Sequence, residues 1–343
     1  MGSRWEIALR CECSERRLGF QTTMNRTLAI IVAMLLLAAG ASHAEAPAES
    51  LLSAGRVDLA IVNLQNRIRQ SPNDSEAYHL LSRAYFSLRR WDDSINAARK
   101  AVAIEPNNSD YHLWLGRAIG EKAESSSWFT AISLAKKVRA EFERAVQLNS
   151  SNVNAQSDLT EFYLEAPSFL GGGKDKARSQ ARRIAAFNPA EAHWIEARIA
   201  EKDGNWKVAE NEYRAAIQAS GNQANYWLSL ASFYRRRNCL NDMEDAVYRA
   251  SNGVIKKSDV WVDAAEVLYK GGRNFPAAIG YLRKYLASNS TVEDAPAFQA
   301  HYLLGTILEK EGDKQAAAEE YRAALSMAHE FSAAQDALAR VNR

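Results

Sequence analysis

Along EAYHLLSRAYFSLRRWDDSINAARKAVAIEPN, large apolar residues fall at Tyr78, Leu81 and Tyr85. That spacing of three to four puts all three on one face of a helix. The pattern breaks at Arg89-Arg90-Trp91-Asp92 and resumes on a second face at Ile95, Ala98, Ala101 and Val102. Pro106 then stops it, since proline inside a helix loses a hydrogen bond and clashes with the preceding turn. The pattern predicts two amphipathic helices with a tight turn between them and a proline boundary after them.

The same grammar recurs down the chain. GNWKVAENEYRAAI, from Gly204 to Ile217, returns almost unchanged as GDKQAAAEEYRAAL, from Gly312 to Leu325. The offset of 108 residues is close to three steps of about 34 with a short insertion, and a fixed period of this length marks a stacked-repeat architecture. Further units show Leu115, Gly116, Phe142 and Ala145; Leu159, Tyr163 and Ala177; Trp227, Leu230, Ala231, Tyr234 and Ala250; Trp261, Ala265, Leu268, Gly272 and Tyr281; and Leu304, Gly305, Leu308, Ala317, Tyr321 and Ala324. Gly55, Ala60 and Pro72 mark a half-unit at the start. Extra residues are expected near 121–132, 165–175 and 288–296, and Ser332 to Arg343 reads as a capping helix.

On these residues the chain resembles the tetratricopeptide-repeat (TPR) family, and in particular uncharacterised exported TPR proteins of bacteria. Tyr78, Leu81, Ser82, Tyr85, Ala101 and Pro106 take the family's positions, with Ser94 and Ala98 less faithful. The resemblance implies an all-α fold: a TPR-like α-solenoid, a right-handed superhelix of six to seven helical hairpins over residues 45–331. It implies a concave groove lined by the first helix of each pair. One unit cannot stand alone. Ordering its residues costs on the order of 1–2 kcal/mol each, whereas its few large side chains return about 1.5–3 kcal/mol apiece, so units must stack.

Residues 1–44 read differently. Arg26 precedes twelve apolar residues from Leu28 to Ala39, and Ser42 and Ala44 follow in the places a cleavage site requires. The run is shorter than the roughly 20 residues that span a bilayer. It predicts a secretory leader cut after Ala44 and a periplasmic or secreted product with no membrane anchor after cleavage. Residues 1–23 fit an over-long start ahead of Met24, and Arg16-Arg17 only faintly matches a twin-arginine signal.

Charge and cysteine content narrow the function. The whole chain carries 43 Lys+Arg against 41 Asp+Glu. Five of those basic and three of those acidic residues lie in the leader, so the remainder is neutral, which argues against nucleic-acid binding. Beyond the leader only Cys239 remains, so packing rather than an internal disulfide must supply stability. No HExxH, GxSxG or CxxC stands in that part of the chain, and the expectation is no catalysis, no metal and no cofactor. Leu170-Gly171-Gly172-Gly173-Lys174-Asp175 lacks the first Gly and the final Ser/Thr of a phosphate loop, so a flexible turn and candidate groove lip is expected. His112, His193 and His301 fall at packing positions and are expected to pack or to hydrogen-bond.

The resemblance places thirteen residues in the groove: His79, Arg83, Phe86, Leu113, Arg117, Glu161, Leu164, Trp194, Arg198, Leu228, Arg235, Tyr269 and Tyr302. Arg83, Arg117 and Arg198 share one repeat position, and arginine forks suit carboxylates. Two expectations stand side by side: the arginines grip acidic groups of a partner peptide, or they bridge acidic residues of adjacent repeats. The function expected is a protein-interaction scaffold of the cell envelope. Alternatives are an accessory to secretion, pilus or outer-membrane assembly, and a carbohydrate-binding or hydrolytic protein using Trp194, Trp227 and Tyr269.

Overall fold

A computed structural model describes residues 46–288, 291–293 and 295–343. The expected leader and its cleavage site lie outside the described residues. Among the described residues there are seventeen α-helices and no named strand. They pair in chain order: α1 (Ala48–Ser53) with α2 (Val57–Gln70), α3 (Ser75–Ser87) with α4 (Trp91–Ile104), and α5 (Ser109–Glu124) with α6 (Trp128–Leu148). Next come α7 (Val153–Glu165) with α8 (Lys174–Ile184), α9 (Pro189–Lys202) with α10 (Trp206–Ala219), and α11 (Ala224–Arg236) with α12 (Leu240–Ser251). The last pairs are α13 (Val260–Gly271) with α14 (Phe275–Ala287) and α15 (Ala297–Glu311) with α16 (Lys314–Met327), followed by α17 (Ser332–Val341). Seven full hairpins thus follow a first, shorter pair in which the half-unit seen in the sequence gains the six-residue α1.

Local chemistry starts these helices where they start. The side chains of Asp74, Asn108, Asn152 and Asn188 accept backbone N–H bonds at the first turns of α3, α5, α7 and α9. Each satisfies a donor that has no partner inside the helix. Pro189 opens α9, where its missing N–H costs nothing.

Small residues set how closely the two helices of a pair approach. In α3/α4 the hydroxyls of Ser82 and Ser94 lie 3.1 Å apart, and Ser94 Oγ donates to the Ser82 carbonyl at 2.9 Å. In α5/α6 a Cβ on Gly116 would come 2.5 Å from the Phe142 ring, and in α15/α16 one on Gly305 would come 2.7 Å from Tyr321. No such approach occurs between real atoms, so these two positions exclude even a methyl group unless a buried ring moves.

The insertions take three forms. Residues 121–132 do not form a loop; they lengthen α5 and α6, the latter to 21 residues, around a turn at 125–127. Residues 165–175 form a packed strut rather than a flexible lip. Gly173 N donates to Tyr163 O at 2.8 Å, Arg139 Nη1 donates to Leu170 O at 3.1 Å, and a Cβ on Gly172 would overlap the Ala166 carbonyl. The described part of 288–296 is tied down by Tyr285, whose hydroxyl accepts from Val292 N at 2.9 Å and donates to Ala295 O at 2.5 Å.

Residues 47–343 form one unit, and its two ends meet. The α1/α2 turn at Gly55 packs so tightly on the start of α15 that a Cβ there would lie 2.8 Å from Ala297 N. Gln299 donates to the Ser87 carbonyl at 2.8 Å, Asp58 accepts from His329 N at 2.8 Å, and Arg90 pairs with Glu330. Leu51, Leu52, Leu64 and Leu80 share one buried cluster with Phe298, Ala328 and Phe331. The stack of hairpins therefore closes on itself, burying the apolar faces that an open solenoid leaves at its first and last repeats.

Candidate interaction groove

Closure puts residues from opposite ends of the chain into one cavity. A space of about 540 Å³ is lined by Phe86, Trp114, Phe142 and Phe162 from α3, α5, α6 and α7, and by Pro296 and Gln299 from the far end. Arg83 of α3 spans it to reach Glu293 at 2.6 Å. Its guanidinium also lies over the Trp114 ring, 4.8 Å from the centroid, and Arg117 lies over the same ring at 5.0 Å. A second cavity of about 580 Å³ continues past Asp158 and Glu161, lined by Trp194, Arg198, Leu228, Arg235 and Lys270 among others. Phe86 stands edge-on to Trp114 at 5.4 Å and Phe162 completes the apolar wall.

The three arginines expected to grip a partner are already paired. Arg83 holds Glu293, Arg117 Nε donates to Asp158 at 2.6 Å, and Arg198 meets Glu161, Glu165 and Glu201 at 2.9, 3.0 and 3.3 Å. The structure holds the bridging arrangement between repeats. An acidic ligand would have to displace the carboxylates that already hold these guanidiniums. What the cavity has in excess is negative charge: its walls carry two arginines against the carboxylates of Glu121, Glu124, Asp158, Glu161, Glu165 and Glu293. Burial and the neighbouring Glu124 charge push the Glu121 carboxyl above its usual range.

Of the thirteen expected groove residues, eight line these cavities: Arg83, Phe86, Arg117, Glu161, Trp194, Arg198, Leu228 and Arg235. Five do not. Leu113 and Leu164 are buried in the core of the middle repeats. His79 is buried against Tyr111 at 4.8 Å and Trp114 at 6.3 Å. Tyr269 packs beside Phe275, and Tyr302 lies between Tyr321 and Phe331 at the closing seam. The reason is angular: with 3.6 residues per turn, a step of one residue rotates a side chain by about 100°. Trp114 and Phe162 face the cavity where Leu113 and Leu164 do not. Trp227 lies apart from Trp194, near Arg214 and Ile217, and no shared aromatic platform forms from Trp194, Trp227 and Tyr269.

Outside the groove the histidines repeat one device. His112, His193 and His301, each on the first helix of a pair, bond Glu141, Glu212 and Glu320 on the second at 2.6, 2.8 and 2.6 Å. A second rung joins Tyr213 to Glu201 and Arg236, and Tyr321 to Glu309 and Arg340. Burial pushes the Glu201 carboxyl up, but Arg236, Arg198 and Tyr213 outweigh it and hold it below the usual carboxylate range. Among the described residues no cluster of His, Cys, Asp and Glu is arranged to hold a metal, and no helix is long and apolar enough to cross a membrane.

Two models of the tetratricopeptide-repeat family match the chain, one over residues 51–118 and the other over 262–337, at the two ends that meet. The chain is a tetratricopeptide-repeat protein. Solved TPR structures are among those it resembles. Yeast Tom70 superposes with a TM-score of 0.51 at 13% identity, over 83% of this chain and 58% of that one. A thermophilic TPR protein of Thermus thermophilus aligns over 52% of this chain and 91% of that one, at 18% identity and a TM-score of 0.43. At such identities the likeness concerns the fold. By sequence, the TPR chain is 27% identical over 141 residues to the cytochrome c-type biogenesis protein CycH of Bradyrhizobium diazoefficiens. The match takes in 41% of this chain and spans about a third, 35%, of that relative's length. A TPR fold is a scaffold for binding other proteins.

Proposed function

We propose that this TPR protein is a non-catalytic adaptor of the bacterial cell envelope that holds a partner polypeptide in the cavity between its second to fourth hairpins and the start of α15 during the assembly of other proteins. The observation that carries the reading is the cavity itself. It shares Asp158 and Glu161 with a second one, is lined by aromatic rings and carries paired charges, the composition of a peptide-binding surface rather than of a reaction centre. The assembly role draws on the CycH relative, whose name places it in the biogenesis of c-type cytochromes. The envelope location draws on the short apolar segment ahead of Ala44.

The test is site-specific photo-crosslinking in the native host, with a photoreactive phenylalanine analogue at Phe162 in the cavity wall and, separately, at exposed Leu59 on α2. The expected outcome is one or a few discrete adducts from position 162, identified by mass spectrometry as envelope proteins and absent from position 59. Equal labelling from both positions would contradict a cavity-held partner, and cytoplasmic adducts alone would contradict the location.

A further inference from the structure

Resting on the groove reading above, we infer that the cavity between Phe86, Trp114 and Phe162 selects a polypeptide segment that presents a lysine or arginine next to large apolar side chains. Charge complementarity points there. Subtracting the internal pairs of Arg83 with Glu293, Arg117 with Asp158, and Arg198 with Glu161 and Glu165 leaves Glu121 and Glu124 on the wall with no ion pair among the described residues. Both sit in the last turn of α5, at the negative end of the helix dipole, where an acidic side chain is unfavourable and a cation is stabilised. A protonated amine or guanidinium entering beside Glu121 and Glu124 would pair with them, while its aliphatic neighbours cover Phe86 and Phe162.

Burial and the Glu124 charge raise the Glu121 carboxyl pKa, and the Arg89 charge offsets them only in part. A cation bound there would reverse that shift. This specificity is opposite to the acidic partner expected from the three arginines, and the difference follows from where the arginines' charge is spent.

Panning a random twelve-residue peptide library against the full chain, with counter-selection on the Phe162→Ala variant, isolates binders that depend on the cavity. The expected sequences are enriched in lysine and arginine over the input library and contain large apolar residues. Their affinity should fall about tenfold in Glu121→Gln/Glu124→Gln, a variant that keeps the shape of the wall, and should weaken as salt rises. Cavity-dependent binders that are neutral or acidic, or basic ones that bind the double variant equally well, would overturn the cation preference while leaving the groove reading standing. No cavity-dependent binder at all would overturn both.

Discussion

Replacing Phe298 with alanine is expected to lower the free energy of unfolding by about 3–5 kcal/mol, the range for removing a fully buried aromatic side chain. Phe298 has no exposed surface, meets Phe331 edge-on at 5.2 Å, and shares its cluster with Leu51, Leu52 and Leu64 of the first hairpin. The size of the effect separates a closed stack from an open one. With the two ends apart, this face of α15 would lose the cover of α1 to α3, and the substitution would approach the cost of a half-exposed side chain, on the order of 1 kcal/mol. Urea unfolding followed by circular dichroism measures the difference. A loss near 1 kcal/mol with an unchanged m-value would mean that the ends do not share a core. A loss in the expected range with a reduced m-value would mean that the variant's native state has opened.

The second large effect is a loss of stability in mild acid that traces to His79. Burial first, and the Arg83 charge after it, lower this imidazole from its usual 6.5 to about 3. The folded protein therefore keeps His79 neutral while the unfolded chain protonates it below pH 6.5, so the stabilisation is present above 6.5 and drains away as pH falls toward 3. The slope approaches about 1.4 kcal/mol per pH unit. His112 has the opposite sign. Its hydrogen bond to Glu141 is the leading cause of its raised pKa, so its stabilisation is complete below pH 6.5 and is lost only as pH rises. Depressed carboxylates such as Glu201 and Glu309 lose their contribution only as the pH drops through the carboxylate range. Between about pH 6.5 and 4.5, then, the wild type is expected to lose about 2–3 kcal/mol that a His79→Leu variant retains. Parallel stability curves for the two proteins across that window would contradict the assignment.

Much of the fold was legible in the sequence, for reasons that particular residues make plain. GNWKVAENEYRAAI and GDKQAAAEEYRAAL match because each carries one member of two physical rungs, a Glu and a Tyr whose partners lie on the preceding helix. Glu212 and Glu320 receive His193 and His301, and Tyr213 and Tyr321 reach Glu201 and Glu309, all at the same offset. Gly116 and Gly305 mark the close crossings. Ser94, which departs from the family pattern, forms a hydrogen bond to Ser82 at the crossing.

The groove was harder to read, and the reasons differ by residue. Leu113 and Leu164 fall one or two places from side chains that do face the cavity, and a one-residue error on a helix is about 100° of rotation. The arginines stood out because they recur, but their partners Glu293, Asp158 and Glu161 lie on other repeats, and a periodic reading treats each repeat alone. Glu293 and Pro296 were invisible because they lie in an aperiodic insertion, and they and Gln299 of α15 reach the cavity only after the two ends of the chain meet. Helical periodicity encodes what each hairpin does with its immediate neighbours; closure depends on the accumulated rotation of all the hairpins, which no single position in the sequence records.

The claim on which the cavity depends is that the first and last repeats touch. Arg90 and Glu330 pair across that contact from partly exposed positions, so cysteines at the two sites lie within reach of a short bis-maleimide linker. The decisive measurement is linker cross-linking of full-length Arg90→Cys/Glu330→Cys, with Cys11, Cys13 and Cys239 replaced by serine and each single variant checked for native helicity. Near-complete intramolecular cross-linking, giving a compact monomeric species, is the result expected. Free thiols, or only cross-linked dimers, in a helical protein would show that the ends stand apart.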